Sequence, residues 1–325
     1  MTGKASAGAH PNIALVKYWG KRDEVLVLPH QSSLSVTLAP LSVTATVELG
    51  TAADEVEING APAVGVERMR VLQLIGRVQE GAKARVATRG DFPAAAGLAS
   101  SAAAFAALAV AARAAAGLSR DVRAESMLAR QGSGSACRSI QGGVCVWRKG
   151  ERADGADSFA EQLVPESHWP KLRLVVAMVS REEKKVKSRD GMRQTVETSP
   201  YYPAWVRLAD ADVSKARELI EKKDLAGLGA LAERNAWRMH ATAMGAEPPL
   251  CYLAPGTLAL IRRVEQLREE GLPVWFTLDA GPNPVLLTDA AHEEDVVRLA
   301  KEGGAQEVVP CRPGGDARLL SKHLF

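Results

Sequence analysis

A small-residue turn at the start of an alanine-rich segment is the strongest local sign of chemistry in this sequence. Residues 93–103 read PAAAGLASSAA and lead into the segment 100–116, which is typical of a buried helix ended by Gly117. Unpaired backbone N–H groups and the positive end of the helix dipole meet at such a point, and small residues let a phosphate approach. The candidate phosphate-binding residues are Gly97, Leu98, Ala99, Ser100 and Ser101. The alternative is an ordinary glycine turn with a serine N-cap.

A second cluster of small and hydroxyl residues surrounds two arginines. Residues 130–139 read RQGSGSACRS, and the planar guanidinium of Arg138 matches the geometry of a carboxylate or a phosphate. The Gly/Ser run lets backbone donors converge beside it. The alternative is a flexible loop in which Arg138 is only a surface charge.

Two further segments carry charged groups next to predicted strands. Residues 279–283 read DAGPN and follow an apolar strand at 274–278, so the Asp279 carboxylate lies at a sheet edge, where it can act as a base toward a hydroxyl. The alternative is an Asx turn. Residues 12–23 read NIALVKYWGKRD and place Lys17, Lys21 and Arg22 beside two aromatic rings. They predict either a clamp for a phosphorylated acid or an edge strand with a solvated basic face.

Strands and helices alternate along the chain and predict a mixed fold. Alternating apolar residues indicate strands at 34–38 and 41–49, and residues 55–58 followed by Asn-Gly indicate a hairpin. Helical periodicity covers 67–80, 203–245 and 256–270, whereas 172–179 is an apolar run of strand length. The polar stretch 149–171 is the expected end of the first domain.

The overall composition excludes several classes of protein. A net charge of +3 from 41 basic and 38 acidic residues gives no general reason to expect nucleic acid or a membrane surface. The longest apolar stretch, 102–112, is too short to span a bilayer, and the N-terminus lacks the apolar core of a signal peptide, so we expect a cytoplasmic protein with reduced cysteines. The six histidines are scattered, and we expect His10 and His240 to be solvated or capping groups rather than metal ligands.

Taken together and in this order, these segments resemble the mevalonate diphosphate decarboxylases of the GHMP kinase superfamily. The resemblance also includes LPHQSSLSVTL (28–38), KKVKSRDGM (184–192) and ETSPYY (197–202), and so spans residues 12–283. It implies an α+β, two-domain GHMP kinase fold, with an ATP-binding domain at 1–170 that carries the phosphate loop and a ferredoxin-like domain at 171–325. Because dimers are common in the family, it also makes a homodimer an expectation.

The resemblance implies a reaction as well. With ATP and Mg²⁺, the C3 hydroxyl of mevalonate 5-diphosphate is phosphorylated, and loss of that phosphate and of carbon dioxide gives isopentenyl diphosphate. Asp279, Arg138 and Lys21 then match the catalytic groups, and Ser101 falls in the ATP phosphate loop as a candidate Mg²⁺ contact. The remaining substrate contacts implied by the resemblance are Tyr18, Lys17, Ser133, Ser135 and Ser188.

Departures from the family pattern leave alternatives open. Gln31 stands where the family's segment has Asn, and Asp91 lies where Asn-Asn-Phe-Pro often precedes the phosphate loop. Decarboxylation of mevalonate 5-phosphate is the nearest alternative. A mevalonate kinase without decarboxylation and a non-catalytic binding protein are further ones, although the intact Asp279, Arg138 and Lys21 favour the full reaction.

Overall fold

The computed structural model describes residues 3–92, 100–182 and 184–325. The predicted phosphate-binding residues Gly97, Leu98 and Ala99 lie outside the described residues. The strands are β1 (Lys4–Ala9), β2 (Asn12–Val16), β3 (Lys21–Asp23), β4 (Leu28–Pro29), β5 (Ser33–Ala39), β6 (Val43–Leu49), β7 (Glu55–Ile58), β8 (Ala61–Pro62), β9 (Ala84–Gly90), β10 (Val144–Trp147), β11 (Ala160–Val164), β12 (Leu172–Met178), β13 (Trp275–Thr277), β14 (Val285–Asp289), β15 (Glu307–Pro313) and β16 (Arg318–Leu320). The helices are α1 (Gly65–Val78), α2 (Ser100–Ala115), α3 (Val122–Gly132), α4 (Ser188–Thr198), α5 (Tyr202–Lys222), α6 (Leu225–Met244), α7 (Pro255–Glu269) and α8 (Glu293–Glu302), and residues Gly134–Ser139 form a 3-10 helix.

Two large sheets organise these elements. The first has the strand order β16-β1-β6-β9-β7-β8. The second has the order β11-β10-β5-β15-β12-β14-β13, with β2 also paired to β5. Because β5 pairs with β15, the second sheet joins strands from both halves of the chain, and β16 returns from the C-terminus to pair with β1. The division at 170/171 therefore stays a prediction.

Each sheet is covered by helices through apolar faces. The alanine-rich helix α2 packs on β1 and β6, because its small side chains allow a close approach of helix to sheet. Helices α5 and α6 cover the second sheet through Val213, Ile220, Leu228 and Leu231. A separate aromatic cluster, which contains Trp19, Tyr202, Trp205 and Tyr252, lies next to the segment between β2 and β3.

Local turn chemistry agrees with the sequence at the hairpin and places a break within the long helical region. Asn59 and Gly60 both have positive φ, at 52° and 85°, and connect β7 to β8 as predicted. The predicted helical region 203–245 is divided into two helices, α5 and α6. Lys223 adopts φ 55°, and the side chain of Asp224 accepts a hydrogen bond from the Gly227 amide at the start of α6.

Candidate active site

The most distinctive contact in the molecule joins Lys17 and Asp279. Lys17 follows β2 and Asp279 follows β13, so the two sheet strands bring together residues from opposite ends of the sequence. The Lys17 Nζ atom lies 2.7 Å from Asp279 Oδ1 and 2.6 Å from the Ala14 carbonyl oxygen. The Lys17 side chain is 2% exposed and that of Asp279 is 32% exposed, so the carboxylate is the open member of the pair.

Burial shifts the acid–base behaviour of this pair. Desolvation lowers the pKa of Lys17 below its ordinary value, although attraction to Asp279 opposes the shift and repulsion from Arg138 adds to it. The solvated basic face considered for residues 12–23 is therefore wrong for Lys17. Asp279 is held by a long-range ion pair, which an isolated Asx turn does not provide.

Arg138 is buried, and hydroxyl and amide side chains orient its guanidinium. It lies in the 3-10 helix, is 2% exposed, and donates from Nε to Ser35 Oγ at 2.9 Å and from Nη1 to Ser33 Oγ at 2.6 Å. A third donation, from Nη2 to Asn12 Oδ1, spans 3.3 Å. The alternative of a surface arginine on a flexible loop is therefore wrong. Burial lowers the pKa of Arg138, and the field of Asp279 opposes that shift, which places the two groups within electrostatic reach.

Tyr18 forms one wall beside Arg138. Its ring lies 4.6 Å from that of Trp147, centroid to centroid. A Cβ at Gly134 would lie 2.7 Å from a Tyr18 ring carbon, so only glycine fits at the start of the 3-10 helix. Burial raises the pKa of Tyr18, so its hydroxyl stays protonated and can donate a hydrogen bond.

Lys21 lies apart from the Lys17–Asp279 contact. Its Nζ pairs with Glu24, and burial lowers its pKa, as does repulsion from Arg189 and Arg193 of α4. These cations come from different halves of the chain and lie within electrostatic reach of one another, which favours binding of a polyanionic ligand in this region. The catalytic role predicted for Lys21 stays a prediction.

Arg70 extends this basic region from the first sheet's side, and sequence analysis missed it. It donates from Nη2 to the Gly132 carbonyl at 2.6 Å, and its guanidinium lies 4.6 Å from the centre of the Phe105 ring. Burial lowers the pKa of Arg70 to about 10, and repulsion from Arg189 adds to the shift. Arg70 lies in a predicted amphipathic helix, where a charged residue is normally on the solvent-exposed face. No sequence motif therefore distinguished it as a binding residue.

The start of α2 meets the loop that precedes Arg138. Ser100 is the first residue of that helix, and the hydroxyls of Ser101 and Ser133 lie 3.3 Å apart. Ser135 contributes its backbone carbonyl to Asn12 Nδ2 at 3.1 Å. The predicted phosphate-binding and carboxylate-binding segments are thus neighbours in space.

A lysine on the segment before α4 completes the surroundings of Asp279. Lys184 Nζ donates to the Ala280 carbonyl at 2.6 Å and to Ser188 Oγ at 3.2 Å. Burial lowers the pKa of Lys184, and Asp279 opposes the shift. The predicted substrate contact Ser188 is therefore close to the segment that carries Asp279, but its hydroxyl contacts a lysine.

The two histidines that were expected to be solvated or capping groups behave differently. His10 is partly exposed, and its Nδ1 lies 2.6 Å from the Leu41 carbonyl. His240 is 1% exposed, so the expectation was wrong for this residue. Burial and the Lys17 charge lower its pKa to about 4, so it is neutral at pH 7.

The basic and hydroxyl side chains of this site suit a nucleotide better than a metal ion held by protein ligands alone. Within the described ranges, no group of three or more His, Cys, Asp or Glu residues could hold a metal ion. The partly buried Arg70, the buried Lys21 and the hydroxyl of Ser101 suit phosphate oxygens, and a metal ion there takes most of its ligands from the phosphates. In the same ranges, no helix combines the length and apolar character needed to cross a bilayer.

Comparison with known proteins gives matches along most of the chain. The diphosphomevalonate decarboxylase-like N-terminal domain matches residues 9–160, and the mevalonate 5-diphosphate decarboxylase C-terminal domain matches residues 174–308. Diphosphomevalonate decarboxylase from Homo sapiens is 39% identical over 301 residues, which are 85% of this chain and 74% of the human protein.

Solved structures agree with these matches. The mevalonate diphosphate decarboxylase from Staphylococcus aureus has a TM-score of 0.93 and 34% identity over 99% of both chains. MDDEF in complex with MVAPP, AMPPCP and magnesium has a TM-score of 0.92 and 39% identity, covering 99% of this chain and 100% of that one. The expected α+β GHMP kinase fold is thereby confirmed, and the chain belongs to the mevalonate diphosphate decarboxylase family.

Proposed function

We propose that this chain catalyses the ATP-dependent decarboxylation of mevalonate 5-diphosphate to isopentenyl diphosphate, with ADP, phosphate and carbon dioxide as the other products. The observation that carries the proposal is the Lys17–Asp279 ion pair, 2.7 Å between Nζ and Oδ1, within electrostatic reach of Arg138. A carboxylate, an ammonium and a guanidinium are the groups needed to phosphorylate a hydroxyl and then orient a carboxylate for loss.

In the first step, Asp279 accepts the proton of the C3 hydroxyl while the oxygen of that hydroxyl bonds to the γ-phosphorus of ATP. The bond from that phosphorus to ADP breaks at the same time. Lys17 keeps Asp279 oriented, because the Lys17 ammonium is fixed between Asp279 and the Ala14 carbonyl. Positioning and charge stabilisation supply most of the rate in such transfers.

In the second step, Arg138 holds the substrate carboxylate in line with the breaking C3–O bond. The phosphate leaves with the electrons of that bond, so positive charge builds at C3. The electron pair of the C–C bond to the carboxylate then forms the double bond, and carbon dioxide leaves. Three N–H groups of Arg138 donate to Asn12, Ser33 and Ser35 in the described structure, and a guanidinium carries five, so donors remain for the carboxylate.

The basic region supplies the binding of the phosphates. Lys21, Arg189 and Arg193 suit the diphosphate of the substrate, while Arg70 and the start of α2 suit the nucleotide. Ser101 would hold the Mg²⁺ that neutralises the phosphate charge. The complex of the related MDDEF with MVAPP, AMPPCP and magnesium supports both ligands and the metal. We include a cytoplasmic location in the proposal, and cell fractionation with an antibody to the chain tests it.

The test separates this reaction from its alternatives. The protein is incubated with ATP, Mg²⁺ and, separately, mevalonate, its 5-phosphate and its 5-diphosphate, and ADP and carbon dioxide are measured together. We expect equal amounts of both products with the 5-diphosphate. ADP without carbon dioxide would identify a kinase, a preference for the 5-phosphate would identify the monophosphate decarboxylase, and no turnover would leave only the fold assignment.

A further inference from the structure

The backbone amide of Lys17 is held by a side chain from a distant helix. The amide nitrogen lies 2.8 Å from Asn235 Oδ1, and Asn235, on α6, is completely buried. Strand β2 ends at Val16, and its register on β5 shifts between Ala14 and Val16, so the Lys17 amide falls just past the regular ladder. A buried N–H group there needs another acceptor, and Asn235 provides it.

Asn235 is itself oriented by a charged residue. Its Nδ2 donates to Asp212 Oδ2 of α5 at 2.8 Å. Asp212 in turn accepts from Arg238 Nη1 at 3.1 Å and pairs with Arg234 Nη2 at 3.5 Å. The amide of Asn235 is thus fixed with its oxygen toward Lys17 and its nitrogen toward Asp212, because the reverse orientation would place oxygen against oxygen.

Both ends of Lys17 are therefore constrained. The backbone is tied to α6 through Asn235, and the ammonium is tied to Ala14 and Asp279. Without the backbone contact, the turn after β2 can shift, and Lys17 would carry its ammonium away from the carboxylate. Because a displacement of about 1 Å at a reacting group can cost about 10²-fold in rate, a small shift is enough to matter.

We infer that Asn235 is a positioning residue for the reaction, which acts through Lys17 to align Asp279 and does not touch the substrate. This inference rests on the proposed function, since it assigns Asn235 a part in the step that Lys17 and Asp279 perform. The alternative is that Asn235 only satisfies buried polar groups and contributes to stability without affecting alignment.

The main test is Asn235→Leu, which keeps a similar volume and removes both hydrogen bonds. We expect kcat to fall about 10- to 100-fold with little change in the KM for ATP, because alignment is lost and nucleotide binding is not. Leu231→Ala on the same helix is the matched control, since Leu231 is buried against the sheet and has no contact with Lys17 in the hydrogen-bond network. Leu231→Ala should lower Tm by about as much as Asn235→Leu does, and should leave kcat within about threefold of the parent chain.

A second variant keeps the test decisive if Asn235→Leu does not fold. Asn235→Asp retains the acceptor for the Lys17 amide but places two carboxylates together beside Arg234 and Arg238. Such a pair takes up one proton as pH falls, and that proton restores the hydrogen bond to Asp212. The kcat of this variant relative to that of the parent chain should therefore rise as pH is lowered.

Hydrogen exchange gives a readout that does not depend on activity. The Lys17 amide should be protected in the parent chain and in Leu231→Ala, and should exchange faster in Asn235→Leu. The inference is overturned by normal kcat in a folded Asn235→Leu, by an equal loss in Leu231→Ala at equal Tm, or by a reduced kcat in Asn235→Asp that does not recover as pH is lowered. If the parent chain itself releases no carbon dioxide from mevalonate 5-diphosphate, the proposed function fails instead, and the exchange result still reports on the Lys17 contact.

Discussion

Arg130 and Arg138 belong to the same motif, RQGSGSACRS, and both are buried, yet their surroundings differ. Arg130 is 1% exposed and donates to backbone carbonyls of Leu26, Gly155 and Ser158, which close the loops around it. Arg138 donates to the side chains of Ser33, Ser35 and Asn12, and it lies within the field of Asp279.

The difference separates a structural arginine from a candidate functional one. Backbone carbonyls are fixed acceptors, so Arg130 serves to hold two segments together. Hydroxyl side chains can rotate, and the Arg138 guanidinium that they hold lies within electrostatic reach of Asp279, the open member of the ion pair with Lys17. The kind of hydrogen-bond partner, more than burial, therefore distinguishes the two arginine sites.

The largest effect should come from Asp279→Asn, which removes the negative charge near Arg138 and leaves the Arg130 site alone. We expect ADP and carbon dioxide release to fall together by about 10²- to 10⁴-fold, because the proton acceptor is lost. Both products are measured at saturating substrates, with nucleotide binding as the folding control. A near-normal rate would mean that Asp279 only forms a turn, since Asn makes the same turn.

Replacing each arginine by lysine tests the comparison directly. Arg138→Lys keeps the charge and loses the planar fork, so carbon dioxide release should fall by about 10²-fold with ATP affinity nearly unchanged. Arg130→Lys should instead lower the free energy of unfolding by about 1–3 kcal/mol, because buried carbonyls lose their donors. Kinetics and thermal denaturation of both variants are compared, and the same pattern in both would remove the distinction.

The pH dependence of kcat should report the loss of the proton from the Lys17 ammonium, which lies near Arg138. Burial lowers the pKa of Lys17, so it loses its proton at a lower pH than an ordinary lysine, and activity should decline on the alkaline side accordingly. In Lys17→Arg the guanidinium stays charged, and the alkaline limb should move to higher pH even if kcat is a few-fold lower. An unchanged limb in the pH–rate profile would assign it to another group.

The smallest effect should come from Ser101→Ala, at the point where α2 approaches Ser133 of the RQGSGSACRS motif. Loss of one hydroxyl contact to phosphate or Mg²⁺ should raise the KM for ATP several-fold, which corresponds to about 1 kcal/mol of binding free energy. Helix α2 should stay folded, because Ala is a better helix former than Ser. Steady-state kinetics over a range of ATP and Mg²⁺ concentrations measure this. Unchanged ATP kinetics would restrict Ser101 to a structural role beside Ser133.

Local features of the fold followed from the sequence alone. The helix at 100–115 follows from its alanine content, and the turn at Asn59-Gly60 follows from the positive φ that these residues tolerate. The motifs also indicated Asp279, Arg138 and the family, because residue types and their order carry that information. The boundary between α5 and α6 did not follow, since Lys223 adopts a left-handed conformation that no sequence rule favours for lysine.

Only the tertiary structure decided which groups meet. Lys17 and Asp279 are 262 residues apart in sequence, and their contact depends on strands from both halves of the chain ending at the same place. The burial of His240 and the link from Asn235 to the Lys17 amide depend on how α6 packs against β2. Periodicity reports which face of one element is apolar, whereas the partner of a buried polar atom is set by the packing of distant elements, and that packing leaves no local pattern in the sequence.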